Sequence, residues 1–181
     1  MKTIIHLLFV CITVLNIISC GVHRQVVTHP PAPKYDRQTI ARLSKQFGLP
    51  LTTADNLTLY NACSSWIGVK YRYGGNTKSG VDCSGFVGYI YRQVYGVKLE
   101  RNSANMLKRN CISIHRNNLR EGDLVFFRTT GSKKSRIPNH VGLYLKNGKF
   151  IHASSSRGVV VSQLSEAYYV RSWISGGRVK R

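Results

Sequence analysis

Cys83 stands between Asp82 and Ser84, ahead of a periodic apolar run, Phe86, Val87, Ile90, Tyr91 and Val94, that Gly96 ends. The spacing predicts a helix that starts at the cysteine with Asp82 as its cap. Only a thiolate attacks a carbonyl, and a helix N-terminus favours negative charge, so this position is expected to lower the thiol below its free pKa of roughly 8.5. The plainer reading of a cysteine is a small buried hydrophobe, against which its two polar neighbours argue. Thiol chemistry also needs an imidazole and a group to orient it. Of the six histidines, His6, His23 and His29 fall in an N-terminal apolar and proline-rich stretch, and His115 in a polar segment suited to the surface. His140 and His152 remain, both in a region of strand-like periodicity.

Whether those two can meet depends on the turn between them. A three-residue loop, Lys146-Asn147-Gly148, built as a type I turn followed by a left-handed glycine, pairs Leu145 with Lys149 and Gly142 with His152. The histidines are then diagonal neighbours on one face, about 7–8 Å apart at the backbone. A two-residue Asn-Gly turn splits them onto opposite faces, so the chemistry requires the longer loop. A thiol and two imidazoles also resemble three ligands of a zinc site, but no fourth ligand is evident and no metal is expected.

The elements that must hold these groups change character along the chain. Ile40, Leu43 and Phe47 recur at helical spacing before Gly48, and a second helix is expected from an Asp55 cap, with Leu57, Tyr60, Cys63 and Ile67 on one face and Gly68 closing it. The helix from Cys83 is third, and residues 101–109 suit another short one. Beyond them the period becomes two, and strands are expected at Leu124–Arg128, Val141–Lys146, Lys149–Ala153, Val159–Val161 and Tyr168–Ile174. Helices first and strands afterwards predict an α+β domain, an antiparallel sheet packed on N-terminal helices.

Charge narrows the surroundings. Twenty-seven Lys and Arg face seven Asp and Glu, a formal net charge of +20 that attracts polyanions. The basic residues are scattered, apart from short clusters such as Lys133-Lys134-Ser135-Arg136, and no helix carries a basic stripe. An anionic cell envelope is therefore the expected neighbour and nucleic acid is not. Residues 4–18 form an apolar run too short and interrupted to span a bilayer comfortably, laid out as a secretory signal. It ends in Ile17-Ile18-Ser19-Cys20, which resembles the lipobox of bacterial lipoproteins. That resemblance implies a signal over 1–19, a lipidated Cys20, and anchoring to a membrane through several acyl chains. Gly21, rather than aspartate, after the cysteine favours an outer membrane, facing the periplasm. Residues 20–36 read as a proline-bearing tether and 37–181 as the folded domain. Three cysteines then remain, Cys63, Cys83 and Cys111, so at least one is free; a bridge between Cys63 and Cys111 is the alternative to three free thiols.

Five segments occur in order: Tyr71-Arg72-Tyr73-Gly74-Gly75, Val81-Asp82-Cys83-Ser84-Gly85-Phe86-Val87, Arg120 to Phe127, Asn139-His140-Val141-Gly142-Leu143-Tyr144, and Phe150-Ile151-His152-Ala153. Together, across about residues 54 to 174, they resemble the NlpC-type cell-wall cysteine peptidases, which have a papain-like fold. The resemblance implies Cys83 as nucleophile, His140 as general base, His152 as the polar residue orienting it, and Tyr71, Asp82 and Ser84 beside the substrate. It implies hydrolysis of peptidoglycan stem peptides between D-glutamate (through its side-chain carboxyl) and diaminopimelate or lysine, with no cofactor, in a protein expected to be monomeric. Two departures stand out. Glu100 precedes Arg101 where the family often has proline, and the Lys133–Arg136 insert is longer and more basic than usual. An amidase or acyltransferase on the same fold, or a non-catalytic wall-binding lipoprotein, are the rival readings.

Overall fold

The computed structural model describes residues 35–131 and 135–180. The expected signal, Cys20 and all but the last two residues of the tether lie outside the described residues, as do Ser132, Lys133 and Lys134 of the basic insert.

Helix α1 (Arg37–Phe47) starts on Asp36, whose carboxylate accepts from the N–H of Thr39 at 2.7 Å, and stops at Gly48, which takes a left-handed φ of 60°. Helix α2 (Leu57–Ser64) begins one residue later than expected, because Asn56 caps it by accepting from Leu59 N–H. Asp55 instead accepts from Thr52 N–H and pairs with Lys146 at 2.6 Å. The helix also stops short of Ile67 and Gly68, which belong to the following turn. A small hairpin follows, β1 (Asn76–Thr77) and β2 (Gly80–Val81). Helix α3 (Cys83–Tyr95) then begins at the cysteine, with Asp82 as cap and left-handed Gly96 at its end. The expected helix over 101–109 is a single turn, α4 (Ser103–Asn105), that widens into a π-helical turn, Met106–Asn110.

Strands β3 (Cys111–Ile114), β4 (Leu124–Phe127), β5 (His140–Tyr144), β6 (Lys149–Ser154) and β7 (Gly158–Gln163) come next, then helix α5 (Ala167–Ser172) and strand β8 (Trp173–Val179). They form an antiparallel six-stranded sheet in the order β3-β8-β4-β5-β6-β7. This is the α+β architecture the sequence predicts, with α3 against β5 and β6. Strand β4, Leu-Val-Phe-Phe, is buried throughout. Leu124 and Phe126 join the helical core, while Val125 and Phe127 join a second cluster with Phe150, Leu164 and Tyr169 on the other face. Cover on both faces explains why that strand reads as a continuous apolar run rather than an alternation.

One strand expectation fails for an identifiable reason. Of the strand expected over Tyr168–Ile174 only Trp173 and Ile174 are extended, and 168–172 are helical: Tyr169 and Ser172, three apart, turn inward while Tyr168, Val170 and Arg171 stay exposed. Aromatic and β-branched composition disguised it. The true strand, β8, runs on through Ser175-Gly176-Gly177, which looks like a turn. A Cβ on Gly177 would lie 2.7 Å from the ring of Phe126 and 3.0 Å from Cβ of Cys111, so the glycine lets β8 fit between its neighbours. Strand β3 and the β1–β2 hairpin were not foreseen.

The β5–β6 turn gives the expected register by another route. Asn147 and Gly148 both have positive φ, 54° and 75°, the mark of a type I′ turn rather than type I. Lys146 is one extra residue on the β5 side. Leu145 N–H donates to Lys149 O, and Leu143 pairs with Ile151, so the histidines stay on one face.

Candidate active site

Nε2 of His140 lies 2.9 Å from Nδ1 of His152, with the two rings perpendicular. Both side chains are buried, His152 to 1% exposure. His152 stacks on Phe150, with centroids 4.9 Å apart and 26° between planes, which fixes the plane of its ring. With Nε2 of His140 engaged, only its Nδ1 is left to act on another group. Burial pushes the pKa of His140 down to about 4. Burial, then His140 and Arg157, hold His152 well below the ordinary imidazole value. The pair is therefore neutral at pH 7, one proton on each ring.

Cys83 stands at the start of α3. The β5–β6 ladder is formed at Leu143–Ile151 and Tyr144–Phe150, and the first three residues of β5 are not paired with β6. Helix α3 packs against both strands. The backbone N–H of Val141, next to His140, points to the Cys83 sulfur and, with those of Ser84 and Cys83, favours its thiolate. Burial acts more strongly in the other direction, helped by the nearby Asp82 carboxylate, and the thiol pKa is raised. The lowering expected from the helix N-terminus alone is thus outweighed, since desolvation penalises the charged form. The resting pair is thiol and neutral imidazole.

Asp82 is fully engaged. Its carboxylate caps α3 through Gly85 N–H at 2.7 Å, accepts from Gly74 N–H at 3.0 Å, and takes Arg101 in a two-pronged pair at 2.6 and 2.9 Å. Ser84 donates to the Arg101 carbonyl at 2.8 Å. Arg101 also reaches the Gly75 carbonyl, tying the Tyr71–Gly75 loop to the head of α3. A Cβ on Gly85 would sit 2.3 Å from that same carbonyl oxygen, so only glycine lets the loop close over the helix. Burial tends to raise Asp82, but the bonds from Arg101, Gly85 and Ser84 prevail and its pKa is lowered.

Two pockets, of about 480 and 300 Å³, lie beside these groups and share Tyr71, Tyr73 and Asn139 in their walls. Asp82, Cys83, Ser84 and Arg101 line the first, and His140, His152, Tyr168 and Tyr169 the second. Tyr71 is half-buried, its hydroxyl pKa raised by burial and by the neighbouring Cys83 and Asp82. Tyr71, Asp82, Cys83 and Ser84 thus line one pocket and Tyr71, His140 and His152 the other, while Cys20 lies outside the described residues. Cys63, Cys83 and Cys111 are all free and buried, so the alternative bridge between Cys63 and Cys111 does not form. Among the described residues, no three His, Cys, Asp or Glu side chains are placed to hold a metal ion.

Sequence reasoning missed the role of Arg101 and of the groups behind His152. Tyr169 Oη and Ser162 Oγ lie 3.0 and 3.2 Å from its Nε2. Tyr169 was hidden by the misread helix, and Ser162 by its place at the end of an apolar strand.

A model of the NlpC/P60 family matches residues 68–178. A murein DD-endopeptidase MepS/murein LD-carboxypeptidase of Escherichia coli is 41% identical over 116 residues, 64% of this chain and 58% of that protein. A probable endopeptidase NlpC from the same organism is 36% identical over 170 residues, covering 94% and 97%. Among solved structures, a NlpC/P60 family protein from Bacillus cereus superposes with a TM-score of 0.61 at 28% identity, over 67% of this chain and 39% of that one.

Proposed function

Because this chain belongs to the NlpC/P60 family, we propose that it is a thiol peptidase hydrolysing stem-peptide amide bonds of peptidoglycan. Cys83 is the nucleophile, His140 the base and His152 its positioning partner. The observation that carries the reading is the 2.9 Å bond joining the two buried imidazoles beside a thiol at the head of α3.

Nδ1 of His140 takes the thiol proton as sulfur attacks the amide carbonyl, and the C=O pair moves onto oxygen. The N–H of Cys83, at the helix start, faces that oxyanion. Collapse breaks the C–N bond, and His140 gives its proton to the departing amine. Water, deprotonated by the same nitrogen, then clears the thioester and restores the thiol. His152 accepts from Nε2–H of His140 throughout and stabilises the imidazolium, as the third member of a triad does. Tyr71 walls both pockets, with Asp82 and Ser84 lining the first. The steps use no metal or organic cofactor.

Two bonds are candidates. The amide between the D-glutamyl side chain and a diamino acid is the one that the sequence resemblance implies. The cross-link between stems is the second, favoured by the murein DD-endopeptidase at 41% identity. Attraction to an anionic envelope supports either. With twenty-seven Lys and Arg against seven Asp and Glu, few acids offset the cationic surface. Lipidation at Cys20, placement on the outer membrane facing the periplasm, and a monomeric state complete the proposal.

Purified chain incubated with defined muropeptides, and read by mass spectrometry, tests it. Conversion of cross-linked dimers to monomers marks the cross-link bond, and release of a disaccharide-dipeptide marks the glutamyl bond. Either product should vanish with Cys83→Ala. No product from any muropeptide, by a folded chain, refutes the peptidase reading in favour of a wall-binding protein.

A further inference from the structure

The polar chain does not end at His152. Behind it, Nε2 lies 3.0 Å from Tyr169 Oη on α5 and 3.2 Å from Ser162 Oγ on β7. Arg157, in the turn between β6 and β7, donates a guanidinium N–H to Ser162 Oγ at 3.2 Å. Tyr169 and Ser162 are themselves buried and 3.5 Å apart. Two hydroxyls from two elements thus meet at one ring nitrogen, with Arg157 behind one of them, in a fold where Phe150 already fixes the ring's plane. Planarity is not enough for catalysis, because a neutral imidazole exists in two tautomers.

The choice between them decides whether the site works. If Nε2 of His152 carries the proton, Nδ1 accepts from His140, whose own Nδ1 is left bare towards the thiol. If Nδ1 of His152 carries it, the whole chain reverses and His140 presents an N–H where a base is needed. We propose that Tyr169, Ser162 and Arg157 are positioning residues that hold His152 as the Nε2–H tautomer and so keep Nδ1 of His140 bare towards Cys83. The proposal rests on the reading of His140 as the base.

Either hydroxyl can donate or accept, so the direction proposed rests on Arg157. Arg157 has donors only, so Ser162 Oγ must accept from it. That oxygen keeps a lone pair which, with Tyr169 Oη, receives the Nε2–H of His152 as a shared bond. The guanidinium also discourages a second positive charge at His152, so the proton gained from the thiol stays on His140, next to the leaving amine. The charged and titratable groups around His152 are His140 on β5, Arg157, and Tyr169 with Glu166 beyond it. Cys83 and Asp82, at the head of α3, act from the thiol side. Glu166 also bonds Gln163 N–H at 2.6 Å, which holds it at the start of α5.

Imidazole nitrogen NMR on the full chain reads the tautomer and the titration directly, without any substrate. In wild type, His152 should show Nε2 protonated and Nδ1 as acceptor. Tyr169→Phe with Ser162→Ala should give a mixture of tautomers. Arg157→Gln, which keeps an N–H donor for Ser162 Oγ but removes the charge, should keep the tautomer and raise the pH at which the pair protonates by roughly half a unit, the size of a partly exposed charge effect. Muropeptide turnover should follow: kcat falls about tenfold or more in the double variant with KM held, and Ser162→Thr, which keeps the hydroxyl, restores it. A protonated Nδ1 on His152 in wild type overturns the proposal. So does an unchanged tautomer in the double variant, shown folded by its unfolding midpoint, or an unshifted titration in Arg157→Gln. Absence of turnover with the predicted tautomers intact would instead count against the peptidase reading, and the two failures are distinct.

Discussion

Gly142 sits level with His152 across β5 and β6, and a Cβ placed on it would come within 3.2 Å of the histidine's Cβ and 2.7 Å of the Phe150 ring. The absence of a side chain there is what lets the imidazole lean towards His140. Gly142→Ala should push Phe150 or His152 aside in a packed region, costing about 1–3 kcal/mol of stability. Because the displaced ring is the partner of the base, kcat should fall at least tenfold with KM little changed. A variant that is less stable but turns over muropeptides at the wild-type rate would separate packing from alignment and refute the second half of this argument.

Arg101 and Asp82 form the second structural device, fastening the Tyr71–Gly75 loop to the head of α3. Arg101→Met keeps most of the apolar stem and removes the charge. The carboxylate left behind is almost buried, but the guanidinium side chain is 47% exposed, so the loss is expected at about 1–3 kcal/mol rather than the full cost of breaking a buried pair. Asp82 has a lowered pKa in the fold. Its contribution is therefore complete above the unfolded value of about 3.9 and is lost as pH falls through the lower folded value. Urea unfolding across pH should show the gap between wild type and variant open at neutral pH and closing below about pH 4. A gap independent of pH would mean that the pair contributes packing alone.

Those two devices mark where the sequence was legible. The head of α3 was readable because the capping aspartate, the apolar face and the terminal glycine all point to one helix. The meeting of His140 and His152 was readable because one face of a sheet fixes register. Even so, the turn that delivers it is a type I′ turn with a bulged Lys146, and local turn chemistry alone suggested the other pairing. Asp55 lost its place as a cap to Asn56 because Lys146, 91 residues away in the chain, recruits its carboxylate. The Arg101 latch and the Tyr169–Ser162–Arg157 tier could not be read from spacing. Each joins residues from separate elements, and α5 carries strand-forming residues whose helical pattern shows only when burial is known.

His152 is separable from the reaction it supports. His152→Ala leaves Nε2–H of His140 without an acceptor in a buried site, so the ring is free to flip or change tautomer. Turnover should drop by about a hundredfold to ten-thousandfold, with residual activity from the thiol and oxyanion contacts. Replacement by asparagine, whose amide oxygen can accept the same bond, should recover part of the loss. If alanine and wild type have equal rates, the role assigned to His152 is wrong.

The resting state of the thiol gives the last prediction. Burial raises Cys83 and lowers His140 to about 4, so the two are neutral together and no ion pair is stored before substrate arrives. A base must be unprotonated to act, and His140 stays so until the pH falls through its own low value. The kcat/KM profile should therefore keep its plateau below the ordinary histidine pKa of about 6.5 and decline only towards pH 4–5. The same neutrality predicts slow alkylation of Cys83 by iodoacetamide at pH 6, in contrast to thiols held as thiolates beside an imidazolium. Rapid alkylation that levels off at acidic pH, together with a turnover optimum bounded on the alkaline side by loss of an imidazolium, would show a preformed ion pair. The neutral-pair mechanism would then have to give way.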